Sequence, residues 1–249
     1  MTWLKAHPWI APVLPLAIYT ALGALEPSPG QAGGRALGLA IPYDSYPLLY
    51  TLKIGLTLAA VALVFPGYPR PLRRPSAAAL AVGALGIVVW VGLWWLALDR
   101  KLLALAHLGS LVGARPAFNP FDSLGGRPAV LWAFLAVRFV GLVAVVPLIE
   151  EFFLRGFLMP LVVANDWWDV PFGRVNAAAV AVSLIVPALS HLAEVPSAVA
   201  WFGMVTWLMV RTRNFWDCVA AHALTNLLLG IYIITAGHVM GIDAAWSLW

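Results

Sequence analysis

Val146-Pro-Leu-Ile-Glu-Glu-Phe-Phe-Leu-Arg-Gly-Phe-Leu158 places two adjacent carboxylates and an arginine inside an apolar run. A charged group at bilayer depth costs about 2.5–3.5 kcal/mol on insertion scales, so three of them in one run point to function. On a helix, Glu151 and Arg155 are four residues apart, share a face and can pair. Glu150 lies about 100° further round and is expected to point elsewhere. The spacing therefore predicts one carboxylate neutralised by the arginine and one left facing a cavity.

Working outward, the chain has 249 residues, of which 62% are hydrophobic and 10% charged, with a mean hydropathy of +0.89. Soluble domains are about half apolar and a quarter charged, so this composition excludes an ordinary soluble domain. It predicts an all-α polytopic transmembrane bundle of about seven to eight membrane helices. We expect a single integral membrane domain over 1–249, with N-terminal helices in 1–127 and a catalytic core in 128–236. The net charge of +4 is modest and suits loops at a membrane surface, not nucleic-acid binding. A lone cysteine, Cys218, excludes an intrachain disulfide and any CxxC motif. Thirteen tryptophans suit an interfacial belt.

In chain order, apolar spans are predicted over about 9–25, 46–65, 77–98, 129–158, 175–193, 197–210 and 215–236. The first resembles a signal peptide after Lys5 and His7, but the equally hydrophobic sequence beyond it predicts a retained span. Residues 26–44 read as a Gly/Pro-rich loop, and Leu102–Val112 as a short interfacial helix. Lys53 is read as a snorkelling or polar-cavity residue. Pro147 is expected to kink the fourth span just before the carboxylates, and Asn165–Gly173 to form an interfacial turn. Arg138 is read as pairing with an acidic residue, with a lipid or substrate carboxylate as the other option. Asp217, Arg213 and Glu194 are read as span-end residues at the interface, although Glu194 is also placed to orient His191.

Loop charge sets orientation. With the N-terminus inside, Lys5, Arg70, Arg73, Arg74, Arg174, Arg211 and Arg213 fall on the inner side. Arg35, Arg100, Lys101, Arg115 and Arg127 fall outside. This predicts an integral membrane protein with its site toward the cytoplasmic half, and a compact chain with few loops suits a bacterial inner membrane.

Four more polar positions follow the glutamates: His191 near the end of the fifth span, and His222, Thr225 and Asn226 on the seventh. His222 and Asn226 are four apart and share a face. Bundles build sites from side chains on facing helices, so these groups are compatible with one pocket. The pattern resembles the CAAX-protease and bacteriocin-processing family of intramembrane glutamate proteases. Glu150-Glu151-x-x-x-Arg155 is similar to the family's first motif, His191 stands where its second motif would be, and His222-Ala-Leu-Thr-Asn226 resembles its H-x-x-x-N motif. The resemblance covers about residues 140–232. It departs at Pro187, four residues before His191, where the family usually has an aromatic residue.

The chemistry can be argued from the residues. Peptide hydrolysis needs an activated water, a stabilised oxyanion and a proton for the leaving amine. Desolvation and a like-charged neighbour make a carboxylate a stronger base. Glu150 is assigned as the base, with His191 holding or polarising the water, a pairing the family resemblance also implies. His222 and Asn226 are assigned as oxyanion donors, and Glu151 with Arg155 as a supporting pair. No cofactor and no metal is expected. The expected partners are membrane lipids and a peptide or protein substrate, lipidated (as prenylated CAAX tails are) or carrying a C-terminal membrane anchor.

Each residue also has a plainer reading: a buried structural lock for Glu151–Arg155, a helix-end histidine for His191, interhelical hydrogen bonding for His222 and Asn226. Two other functional classes fit. A zinc protease would take His191, His222 and a glutamate as ligands, although no H-E-x-x-H is present. A transporter, immunity factor or scaffold would use the charges as an ion path.

Overall fold

Each apolar run set off by Gly- and Pro-rich breaks becomes a helix, and no strand occurs among the described residues. A computed structural model describes residues 2–27, 41–69, 73–98, 101, 105 and 118–249. The principal helices are α1 (Ile10–Gly23), α2 (Tyr46–Val64), α3 (Ala77–Trp95), α4 (Pro128–Val163), α5 (Ala177–Ser190), α6 (Val195–Thr212) and α7 (Phe215–Ile234). They match the seven predicted spans to within a few residues at most ends. The expected helix over Leu102–Val112, most of the 26–44 loop, and Arg35, Arg70, Arg100 and Arg115 lie outside the described residues.

Among the described residues, four stretches are long and apolar enough to cross a membrane: Tyr43–Gly67, Ala77–Trp95, Pro128–Val163 and Phe215–Val239. Helices α1 and α5 are apolar but shorter. Helix α6 has the length, but its Ser, Thr, Trp and Pro residues and Arg211 dilute its hydropathy. The protein is an integral membrane protein with a helical bundle.

Helix α4 is wound unevenly. Its α-helical segments Pro128–Val140, Val146–Phe153 and Met159–Val163 are joined by π-helical turns at Gly141–Val145 and Leu154–Leu158. Each wide turn ends two residues before a proline, Pro147 or Pro160. A proline ring clashes with the carbonyl four residues back and supplies no N–H. Widening the preceding turn accommodates both defects, and such turns are frequent at functional sites. The irregularity expected at Pro147 thus takes the form of a π turn.

The chain divides into two compact units. The first comprises Met1–Tyr68, Pro116–Ile149 and Gly230–Trp249. Within it α1 packs on α2, and α2 on Pro128–Val140. Tyr46, Tyr50, Phe118 and Phe134 form an aromatic core, with centroids of Tyr46 and Phe118 4.7 Å apart. Lys53 is buried and ion-paired with Glu26, as suits a polar-cavity residue. Arg138 departs from expectation. It makes no ion pair among the described residues, and instead donates Nη1–H to Tyr46 Oη at 2.8 Å.

The second unit comprises Pro69–Arg115 and Glu150–Leu229. Here α6 packs against both α3 and α5, and α5 against Met159–Val163. Gly86 permits a close approach: a Cβ there would meet Trp201 Nε1 at 2.5 Å and collide with Thr225 Oγ1. The single cysteine, Cys218, is fully buried with a free thiol.

Asp217, expected at the interface, is 1% exposed. Its carboxylate accepts from Ser76 N at 2.9 Å, Ser76 Oγ at 2.8 Å and Asn214 Nδ2 at 2.9 Å. Ser76 in turn caps α3 by accepting from Ala79 N. Asp217 therefore ties the start of α7 to the start of α3. Asp217→Ala removes the acceptor of three hydrogen bonds from half-buried donors, and we expect it to lose about 1–3 kcal/mol of stability, read as a lowered thermal midpoint in detergent. A midpoint equal to wild type would mean that water replaces the carboxylate there.

Candidate active site

The glutamate stretch folds as predicted through its pair and differently in its aim. Glu151 and Arg155 form a salt bridge with both side chains fully buried. Arg155 also donates Nη2–H to Phe202 O at 3.2 Å and reaches Thr206 Oγ1 at 3.4 Å. Thr206 Oγ is itself 2.8 Å from Phe202 O and 3.0 Å from Ser183 Oγ. A chain of polar contacts thus fixes the guanidinium to α6 and α5.

Glu150 does not point away from its neighbour's partner. Both carboxylates address the His222 ring, Glu151 Oε1 at 2.9 Å from Nδ1 and Glu150 Oε2 at 4.0 Å from Nε2. The two nitrogens of one imidazole lie on opposite sides of the ring, and long glutamate side chains bridge the 100° between successive helical positions. The environments of the two acids still differ. The Glu151 side chain is inaccessible, whereas that of Glu150 is 27% exposed.

Glu151 fixes the state of His222. A carboxylate only accepts, so Nδ1 carries the proton and Nε2 is the acceptor of the neutral ring. Donation from Nε2 requires the imidazolium. Trp201 packs edge-on against the ring at 4.5 Å and Phe202 at 6.1 Å. Trp201 is held by Nε1–H to Thr225 Oγ1 at 3.0 Å, and Thr225 Oγ is anchored at 2.9 Å from Gly83 O. Asn226 stands one turn beyond His222 on α7 and is half-buried.

His191 ends α5. Its Nδ1 is 2.9 Å from Pro187 O, which also accepts from Ser190 Oγ at 2.9 Å. A carbonyl only accepts, so Nδ1–H donates and Nε2 is the acceptor of the neutral ring. The unusual Pro187 therefore anchors the histidine through its backbone oxygen, which any residue would provide. Aromatic contact comes from other helices: Trp90 of α3 at 5.5 Å and Phe202 of α6 at 6.0 Å. Phe202 thus stands beside both histidines.

Glu194 stands at the start of α6, the span end where it was expected, and is buried, 3% exposed. Its N–H closes a turn on His191 O at 2.8 Å. Among the described residues, no three His, Cys, Asp or Glu side chains are grouped so as to hold a metal ion. Trp90, Trp201, Phe202 and Thr206 were not expected at the site. Their apolar or hydroxyl side chains in apolar helices give no signal distinct from ordinary core.

In comparisons with known proteins, no curated protein and no solved structure matched the chain. Residues 129–228 match the family model of the Rce1-like type II CAAX prenyl endopeptidases, a range that contains both glutamates, Arg155, both histidines and Asn226. Through this segment, about two fifths of the chain, the protein is similar to the CAAX protease family, a family of endopeptidases.

Proposed function

We propose that the protein is a glutamate-dependent intramembrane endopeptidase that cleaves a prenylated or C-terminally anchored peptide, with its site in the cytoplasmic half of a bacterial inner membrane. The observation that carries this reading is the contrast between the two acids. Glu151 is sealed and saturated by Arg155 and His222, while Glu150 is partly exposed at the same ring.

Glu150 takes a proton from water, and the water oxygen attacks the scissile carbonyl carbon. Returning that proton to the amine as the C–N bond breaks restores the carboxylate. His191, with its acceptor Nε2, holds the second hydrogen of the water. Asn226 Nδ2–H donates to the tetrahedral oxyanion in every protonation state of the site, and His222 adds a second donor when its ring is doubly protonated. Glu151 and Arg155 hold the His222 ring in place. The aromatic side chains Trp90, Trp201 and Phe202 exclude bulk water, which strengthens each of these contacts.

The test is turnover of a CAAX-terminated peptide by the protein in proteoliposomes. Asn226→Ala should lower kcat about 10²–10³-fold with KM little changed, the range seen when one oxyanion donor is removed. Wild-type turnover should be the same with and without excess chelator. Loss of activity under chelation would replace the glutamate mechanism with a metal-dependent one.

A further inference from the structure

Away from the glutamates, the first unit buries two cations against one carboxylate. Lys53 and Arg138 are 4% and 7% exposed. Lys53 Nζ pairs with Glu26 and lies over the rings of Tyr19, at 4.4 Å, and Tyr50, at 4.7 Å. The Arg138 guanidinium lies over Tyr50 at 4.5 Å and Trp249 at 5.2 Å. Its one side-chain hydrogen bond among the described residues is Nη1–H to Tyr46 Oη. The Nε–H is buried without a hydrogen-bond partner. A guanidinium has five donors, and buried charges are ordinarily paired. Among the described residues the cluster therefore holds one unmatched positive charge and an unfilled donor.

Its depth narrows what would fill it. Tyr46, which holds the Arg138 guanidinium, is only three residues, about 5 Å, inside the Tyr43 end of a candidate membrane span, and Tyr50 and Lys53 follow on the next two turns of α2. That is the level of the headgroup boundary, where Tyr and Trp concentrate. A phosphodiester carries one negative charge, matches the excess charge of the cluster and accepts a guanidinium fork through two oxygens. Basic pockets between membrane helices bind such headgroups. A zwitterionic lipid brings its own cation and leaves the excess uncompensated.

We propose that Arg138, Tyr46 and the Lys53–Glu26 pair form a binding site for the phosphate of an anionic phospholipid, independent of the peptidase site.

The experiment is native mass spectrometry of the protein released from nanodiscs of equal phosphatidylglycerol and phosphatidylcholine. Wild type should retain phosphatidylglycerol selectively, and Arg138→Gln should retain about tenfold less, the loss expected for one charge-assisted hydrogen-bonding group. Glu26→Gln removes the competing carboxylate and should raise retention several-fold, a gain that misfolding cannot imitate. Equal retention by wild type and Arg138→Gln, or no gain in Glu26→Gln, would overturn the site. Displacement of the lipid by excess inorganic phosphate would overturn its assignment to a lipid.

Discussion

Glu150→Gln is expected to abolish peptide cleavage, lowering kcat by roughly two to four orders of magnitude, the usual contribution of a positioned general base. The fold should survive. Glutamine keeps the size and shape of the side chain, and Glu150 is partly exposed, with its one ionic contact to His222 at 4.0 Å. The amide cannot accept the proton of water, so the loss should fall on kcat and not on KM. Glu150→Asp retracts the carboxylate by one methylene and should keep a small residual rate. Single-turnover cleavage in proteoliposomes, paired with a thermal midpoint in detergent, reads both halves of the expectation. Substantial turnover by a well-folded Glu150→Gln protein would remove Glu150 from the reaction.

Arg155→Met is expected to have the largest effect on the fold. Glu151 and Arg155 are both fully buried, so removing the cation strands a carboxylate where water cannot reach it. Breaking such a pair from one side costs about 3–5 kcal/mol, far more than an exposed ion pair is worth. The double variant Glu151→Gln with Arg155→Met removes both charges and should recover part of that loss, giving a coupling of about 1–3 kcal/mol in a double-mutant cycle. Reversible unfolding in mixed micelles measures each corner. Activity separates the roles: the double variant should fold better than Arg155→Met yet cleave poorly, because His222 loses the charged partner that holds its ring. Near-wild-type stability of Arg155→Met would show that the pair is not a structural lock.

Much of this was legible from the chain alone, for identifiable reasons. Charges are scarce in an apolar sequence, so Glu150, Glu151 and Arg155 stood out, and four-residue spacing was enough to pair Glu151 with Arg155. Helix ends were legible because proline, glycine and asparagine punctuate the runs, as Asn176 does in capping α5 through Ala179 N. Less was legible where geometry depends on partners far away in sequence. The 100° between Glu150 and Glu151 suggested divergence, yet two flexible side chains converge on opposite nitrogens of one ring. Asp217 was read only as a span-end residue, and its hydrogen-bond partner Ser76 lies 141 residues earlier, out of reach of any local pattern. Arg138 was given an acidic partner on the general expectation that buried charges pair, and its neighbours are aromatic rings and a phenol. The π turns of α4 were foreshadowed only by Pro147 and Pro160, since a proline announces a disturbance and not its form.

The solitary, occluded thiol of Cys218 makes this chain a ready-made blank for labelling chemistry. Water-soluble maleimides should leave the native protein unmodified. A cysteine introduced at exposed Arg73 or Trp168 would then be the sole reactive position, and an impermeant reagent added to sealed vesicles would report which compartment each loop faces.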